Sequence, residues 1–296
     1  MRRQLDIFED SRDVALGNDL AQALLTGDAV AACRIASALR ADFGEAPILA
    51  PAEVLVEHLD WRQSLAADGR LEVARILDAR QRLEGPVMLA AAAVFGGPDA
   101  RAWMDAQWCW LAGQATRIVW HPSHADAHAA ALYLCGRSWR QAAESVARIE
   151  SWRKIPVPLS WMTQARWRTQ GADAAWPLLA EALWLAPARA PDLLAELADT
   201  QLARLVARFE ERFEPAATST ADWAWLPAFA LIEQPLLADP LSQATGPTGT
   251  EPGAGFSVVM ALLRLERQGR HNEIVAHRAR LKGLSAPLFA AYMVTR

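Results

Sequence analysis

Three histidines, His121, His124 and His128, form an H-x2-H-x3-H cluster whose residue types could hold a transition metal. On a helix, residues four apart stand one turn apart on one face, so His124 and His128 have a sound two-ligand spacing. Asp126 points away from that face, and Pro122 places His121 ahead of the first helical turn. His128 also borders the apolar stripe Ala125, Ala129 and Leu132. No HExxH general base accompanies the cluster. Surface and packing histidines at the start of a helical hairpin are the preferred reading. A metal protein or enzyme centred on His124 and His128 is the alternative. Other catalytic signatures are missing: the chain has no GxSxG, no Walker glycine loop and no GxGxxG after a strand. A non-enzymatic protein without a cofactor is expected.

Tryptophan and arginine offer binding chemistry instead. Ten of the thirteen tryptophans lie between Trp103 and Trp184. The indole gives large apolar burial and one N–H, which suits both helix cores and interaction surfaces. Core packing is the ordinary role. The functional version is a concave groove using Trp103, Trp110, Arg117, Trp161, Arg166 and Trp167, able to hold a peptide or an anionic ligand by stacking and cation–π contact. The segment Arg137 to Arg168 carries seven basic residues against Glu144 and Glu150. A solvated helix face is the ordinary reading of such a block, and a basic concave face the sharper one.

Composition bounds the partners. The chain has 296 residues, 52% hydrophobic and 22% charged, with a net charge of −4, so it can bury a core and carries no global field for nucleic acid. Nucleic acid is a disfavoured target, since lysine clusters are absent. Residues 1–60 are locally acidic, with eleven acids and five arginines. Cys33, Cys109 and Cys135 form no CxxC pair, which points to a reducing compartment. Val87 to Phe95, the longest apolar run, falls far short of the roughly 20 residues that span a bilayer. The N-terminus lacks the apolar run of a signal peptide. No membrane association and a cytoplasmic location are expected, and the excess of arginine and alanine suggests a GC-rich bacterial genome.

The elements that must position these residues are helical. Strand-type alternation is nearly absent. Leu16, Leu20 and Leu24 form one stripe; Ala32, Ala36, Leu39 and Phe43 form the next, with Gly27-Asp28 between them as stop and cap. The same grammar recurs at Gly136 and Gly171, with weaker echoes at Gly69 and Gly269. A helix is predicted from Pro122 to Gly136, another from Trp139 to Ile149, a third from Leu159 to Gln170, and its partner runs to Pro187. Pro191 opens one long helix that Pro215 closes. Residues 238–255 read as a Pro/Gly/Thr-rich loop. Helices over 256–268 and 271–282 and an apolar segment, Leu288 to Val294, complete the chain. The predicted organisation is a tail (1–10), one continuous array of helical hairpins (11–237), the loop (238–255) and a helical cap (256–296).

Two resemblances follow from these residues. Ala175 to Pro187 (AWPLLAEALWLAP) is similar to the second-helix pattern of the tetratricopeptide-like helical repeat family: small Ala175, large Leu179, small Ala182 and a terminating Pro187. Gly27 to Ala32 and Gly136 to Ala142 look like its turn and helix start. About half the chain carries the likeness. It implies an all-α superhelix of stacked antiparallel helix hairpins whose concave side binds a protein or peptide. Gln4-Leu5-Asp6-Ile7-Phe8 resembles the bacterial sliding-clamp-binding peptide. That resemblance implies an extended tail in which Gln4 bonds at a rim while Leu5, Ile7 and Phe8 fill apolar pockets. Covering the end of the first hairpin is the ordinary role for the same residues. The expectation is therefore a non-enzymatic adaptor or scaffold using the Trp/Arg surface. A replication-associated factor docking on the clamp through Gln4, Leu5 and Phe8 is a further alternative.

Overall fold

The computed structural model describes residues 9–67, 72–213, 222–247 and 249–296. Among these the protein is all-α, with no strand. No helix among them is long and apolar enough to cross a membrane. The expected turn at Gly69 and the tail residues Gln4, Leu5 and Phe8 lie outside the described residues.

The chain divides into two compact units, Met1–Ser138 and Trp139–Arg296. In the first unit, α1 (Glu9–Thr26) packs on α2 (Ala29–Asp42), and α3 (Leu49–Ala67) packs against both. Next come α4 (Val73–Arg82), α5 (Met88–Phe95), α6 (Gly97–Gln114) and α7 (Ala129–Cys135), with α5 on α6 and α6 on α7. Gly27 makes the α1–α2 turn at φ 73°, a left-handed conformation that residues with a Cβ rarely adopt. Asp28 caps α2 by accepting from the Ala31 N–H at 2.9 Å. Leu20, Leu24, Ala32 and Leu39 are fully buried at this seam, so the periodic stripe is the core stripe.

In the second unit α8 (Trp139–Ala147) packs on α9 (Pro156–Gln170), and α9 on α10 (Ala172–Leu185). The α9–α10 turn is Gly171, again with positive φ. Then follow α11 (Ala190–Leu197), α12 (Thr200–Phe213), α13 (Leu226–Glu233), α14 (Ala238–Leu241), α15 (Glu251–Gln268), α16 (His271–Leu284) and α17 (Ala286–Val294). The last three pack in sequence, and α15 also packs on α13.

Gly136 ends α7 where that helix touches α6, and a Cβ there would sit 2.9 Å from Cys109 Sγ and 3.0 Å from the Asp105 carbonyl. Two expectations need correction. The long helix after Pro191 is two helices. Ala198 is left-handed (φ 46°), and Asp199 Oδ1 accepts from the Gln201 and Leu202 N–H groups at 2.8 and 2.9 Å, which starts α12 afresh. The Pro/Gly/Thr-rich stretch is only partly loop: α14 occupies its start and α15 begins at Glu251. Thr250 accepts from the Gly253 N–H and Pro252 sits in the first turn, so the Thr-Glu-Pro sequence starts a helix.

Candidate functional site

The clearest concentration of chemistry lies in the first unit, on the facing sides of α3 and α6. On α3, His58 and Arg62 are four apart and share a face with Leu55 and Leu59. On α6, Trp103, Gln107 and Trp110 repeat at the same helical spacing. Trp103 is buried, and its Nε1–H donates to the Leu24 carbonyl at 2.9 Å. That bond ties α6 to the last turn of α1 and holds Trp103 largely buried.

Gln107 joins the two helices. Its Oε1 accepts from Arg62 Nη1 at 3.0 Å and from His58 Nε2 at 3.3 Å. Because a carbonyl oxygen only accepts, the His58 proton sits on Nε2 and Nδ1 carries a lone pair. Nδ1 is buried without a partner. Burial drives the His58 pKa down to about 4, and the positive charges of Arg62 and Arg82 push the same way, while the Gln107 bond opposes them. The ring is held between Trp61 and Trp103, with centroids 5.8 Å from each.

The arginines are stacked on indoles. Arg62 lies 4.9 Å above Trp110, Arg82 lies 5.2 Å from Trp61, and Trp61 meets Trp110 edge-on at 6.5 Å. Beside this cluster opens a cleft of about 500 Å³, lined by Leu25, Thr26, Arg62, Asp99, Trp103 and Gln107 among others. Leu25 and Thr26 come from the end of α1, and Asp99 from the first turn of α6, where its charge complements the helix dipole.

The remaining sequence candidates are divided between the two units. Trp110 is half-buried under Arg62, and Arg117 is exposed beyond the end of α6. In the second unit Trp161 and Trp167 are core residues of α9, and Trp167 packs on Trp176 at 6.0 Å. Arg166 is half-buried beside them in sequence. Both indoles are buried because apolar burial outweighs what one N–H gains at the surface, and Trp167 meets α10. Three of the seven basic residues of the block have partners within the fold. Arg137 pairs with Asp105 at 2.9 Å, Arg153 with Glu181 at 2.5 Å, and Arg168 lies over Trp139.

The histidine cluster departs from the helical spacing on which its ligand reading rested. Residues Pro122–Ala127 form a 3-10 segment broken at His124 (φ −138°, ψ 40°), and α7 starts only at Ala129. His128 is the cap of α7: its Nδ1 accepts from the Ala130 N–H at 3.2 Å, and burial drives its pKa down to about 4. His121 stacks on His124 with centroids 5.0 Å apart, and its Nδ1 is engaged with Ser123 at 2.7 Å. Among the described residues no group of three or more His, Cys, Asp or Glu side chains is arranged to hold a metal ion.

Sequence reading missed His58, Arg62 and Gln107. One signal was present: a histidine and an arginine at helical spacing inside the apolar run of α3. Gln107, 49 positions from His58, had none. Compared with known proteins, the chain matches no family model, no curated protein and no solved structure.

Proposed function

We propose that this protein is a non-enzymatic helical scaffold that binds an extended segment of another protein, and that the cleft bounded by α1, α3 and α6 is the contact. The observation that carries the reading is the cleft itself, open to solvent yet walled by side chains that are already fixed. Trp103 is locked to Leu24, Gln107 is held by two donors, and Arg62 is stacked on Trp110. A wall ordered before binding spends little side-chain entropy on a partner. Its mixture of an apolar rim (Leu25) with amide and charged groups suits a peptide, which brings backbone polar groups and side chains together.

Stacked helix pairs of the tetratricopeptide-like kind are the architecture we infer for this scaffold. Support comes from the sequential packing of α1, α2 and α3 and from glycine turns at Gly27, Gly171 and Gly269. A cytoplasmic setting fits the three free cysteines.

The test uses the full chain and a synthetic array of random amidated decapeptides. Ala102 and Ala106 line the cleft and are exposed, so Ala102→Trp and Ala106→Trp fill it without touching the core. We expect a set of binding peptides whose affinity falls at least tenfold in both variants. No binders, or binders indifferent to both fillings, would contradict the reading.

A further inference from the structure

Arg62 differs from the ion-paired arginines Arg153, Arg208 and Arg80 in what it lacks. Arg153 and Arg208 each reach a carboxylate that is nearly buried, and Arg80 reaches Glu84 and Asp126. Arg62 has no acidic partner among the described residues; its one hydrogen bond goes to a neutral amide, Gln107, through Nη1. Partial burial pulls its pKa below the usual arginine range, the sign of a cation that has lost water without gaining an anion. The Trp110 face beneath it fixes the guanidinium plane. With Nη1 on Gln107, the Nε and Nη2 edge bonds no described group. That edge is the fork that meets a carboxylate through two parallel hydrogen bonds.

The number of charges narrows the anion. Arg82 is stacked on Trp61 and sits 3.7 Å from Asp78. His58 is neutral at pH 7 because burial holds its pKa near 4. Asp99 lines the same cleft and forms no ion pair with Arg62. One free guanidinium beside one carboxylate favours a singly charged ligand over a phosphate dianion.

Resting on the peptide-scaffold reading above, we infer that the cleft recognises an acidic side chain, Asp or Glu, of the bound segment, with Arg62 as a forked anchor held in register by Gln107 and Trp110. The acidic residue enters between the Leu25–Gly27 turn and α6, and Asp99 repels a second acid placed toward the α6 N-terminus. The partner is thus a segment with an isolated acid flanked by uncharged or basic residues, not an acidic run.

The experiment takes the decapeptides that bind and resynthesises each with Asn or Gln in place of its acids, keeping the amidated end. The inference expects a loss of at least tenfold on the natural protein. It expects Arg62→Gln to remove that difference, and Arg62→Lys, which keeps charge and stem, to retain part of it. Asp99→Asn should tighten binding of peptides with two acids. Circular dichroism on each variant checks that the fold is kept. If binding is lost on filling the cleft but acids and amides bind alike, the carboxylate anchor is overturned and the scaffold reading stands. If filling the cleft changes nothing, the scaffold reading fails first.

Discussion

Buried and half-buried polar groups are treated in opposite ways in the two units. Glu181, in the second unit, is nearly inaccessible and fully used. Its carboxylate accepts from Arg153 Nε and Nη2 at 2.5 and 2.6 Å and from the Thr245 backbone N–H at 2.7 Å. That arrangement staples the short 3-10 turn before α9 and the loop before α15 onto α10. His58 and Arg62, in the first unit, are under-used: one buried ring nitrogen has no partner, and one half-buried guanidinium meets only an amide. Folding alone favours the first pattern, since an unsatisfied buried group costs about 1–3 kcal/mol. The difference teaches that Glu181 is spent on joining elements of its own unit, whereas Nε and Nη2 of Arg62, beside the cleft, bond no described group.

The comparison can be broken most forcefully at Arg153. Arg153→Ala should destabilise the second unit by about 2–4 kcal/mol in urea melts, because it strands the Glu181 carboxylate. Arg62→Ala should cost under about 1 kcal/mol, since the group it leaves behind is neutral Gln107. Equal costs would show that Arg62 is structural.

Acid sharpens it next. The pKa of His58 and of His128 is near 4 in the folded chain, against 6.5 for a free side chain. The unfolded chain therefore binds more protons between these values, and stability must fall as pH drops from about 6.5 toward 4. Each histidine contributes up to about 3 kcal/mol to that loss. His58→Gln should reduce the pH dependence of the first unit's unfolding by the His58 share, leaving that of His128, and leave α8 to α17 unchanged by hydrogen exchange.

Smaller effects test the local rules. Gly136→Ala should cost about 1–3 kcal/mol by forcing α7 off Cys109 and the Asp105 carbonyl. Asp199→Ala should cost about 1 kcal/mol by removing the cap of α12.

The helical hairpins were legible because their causes are local. Gly27 and Gly171 sit between apolar stripes, and those stripes are the buried seams. Asp199-Thr200 was as local a signal as Asp28, but an unbroken apolar spacing from Leu194 to Phe213 concealed it. The histidines misled because helical spacing means nothing once the backbone breaks at His124. The tryptophans were legible as payload but not by side: Trp103 and Trp110 lie on one helix, one tied to Leu24 and one under Arg62. The site needed contacts that no spacing encodes. Gln107 meets His58 and Arg62 only because α1, α3 and α6 pack as they do.

The most direct test of the cleft is hydrogen–deuterium exchange on the full chain with and without an acidic decapeptide selected from the array. The account predicts slowed exchange at Leu25 to Gly27, Leu59 to Gln63 and Asp99 to Gln107, with the second unit unchanged. Slowing confined to the second unit, or no slowing at a saturating concentration, would contradict it.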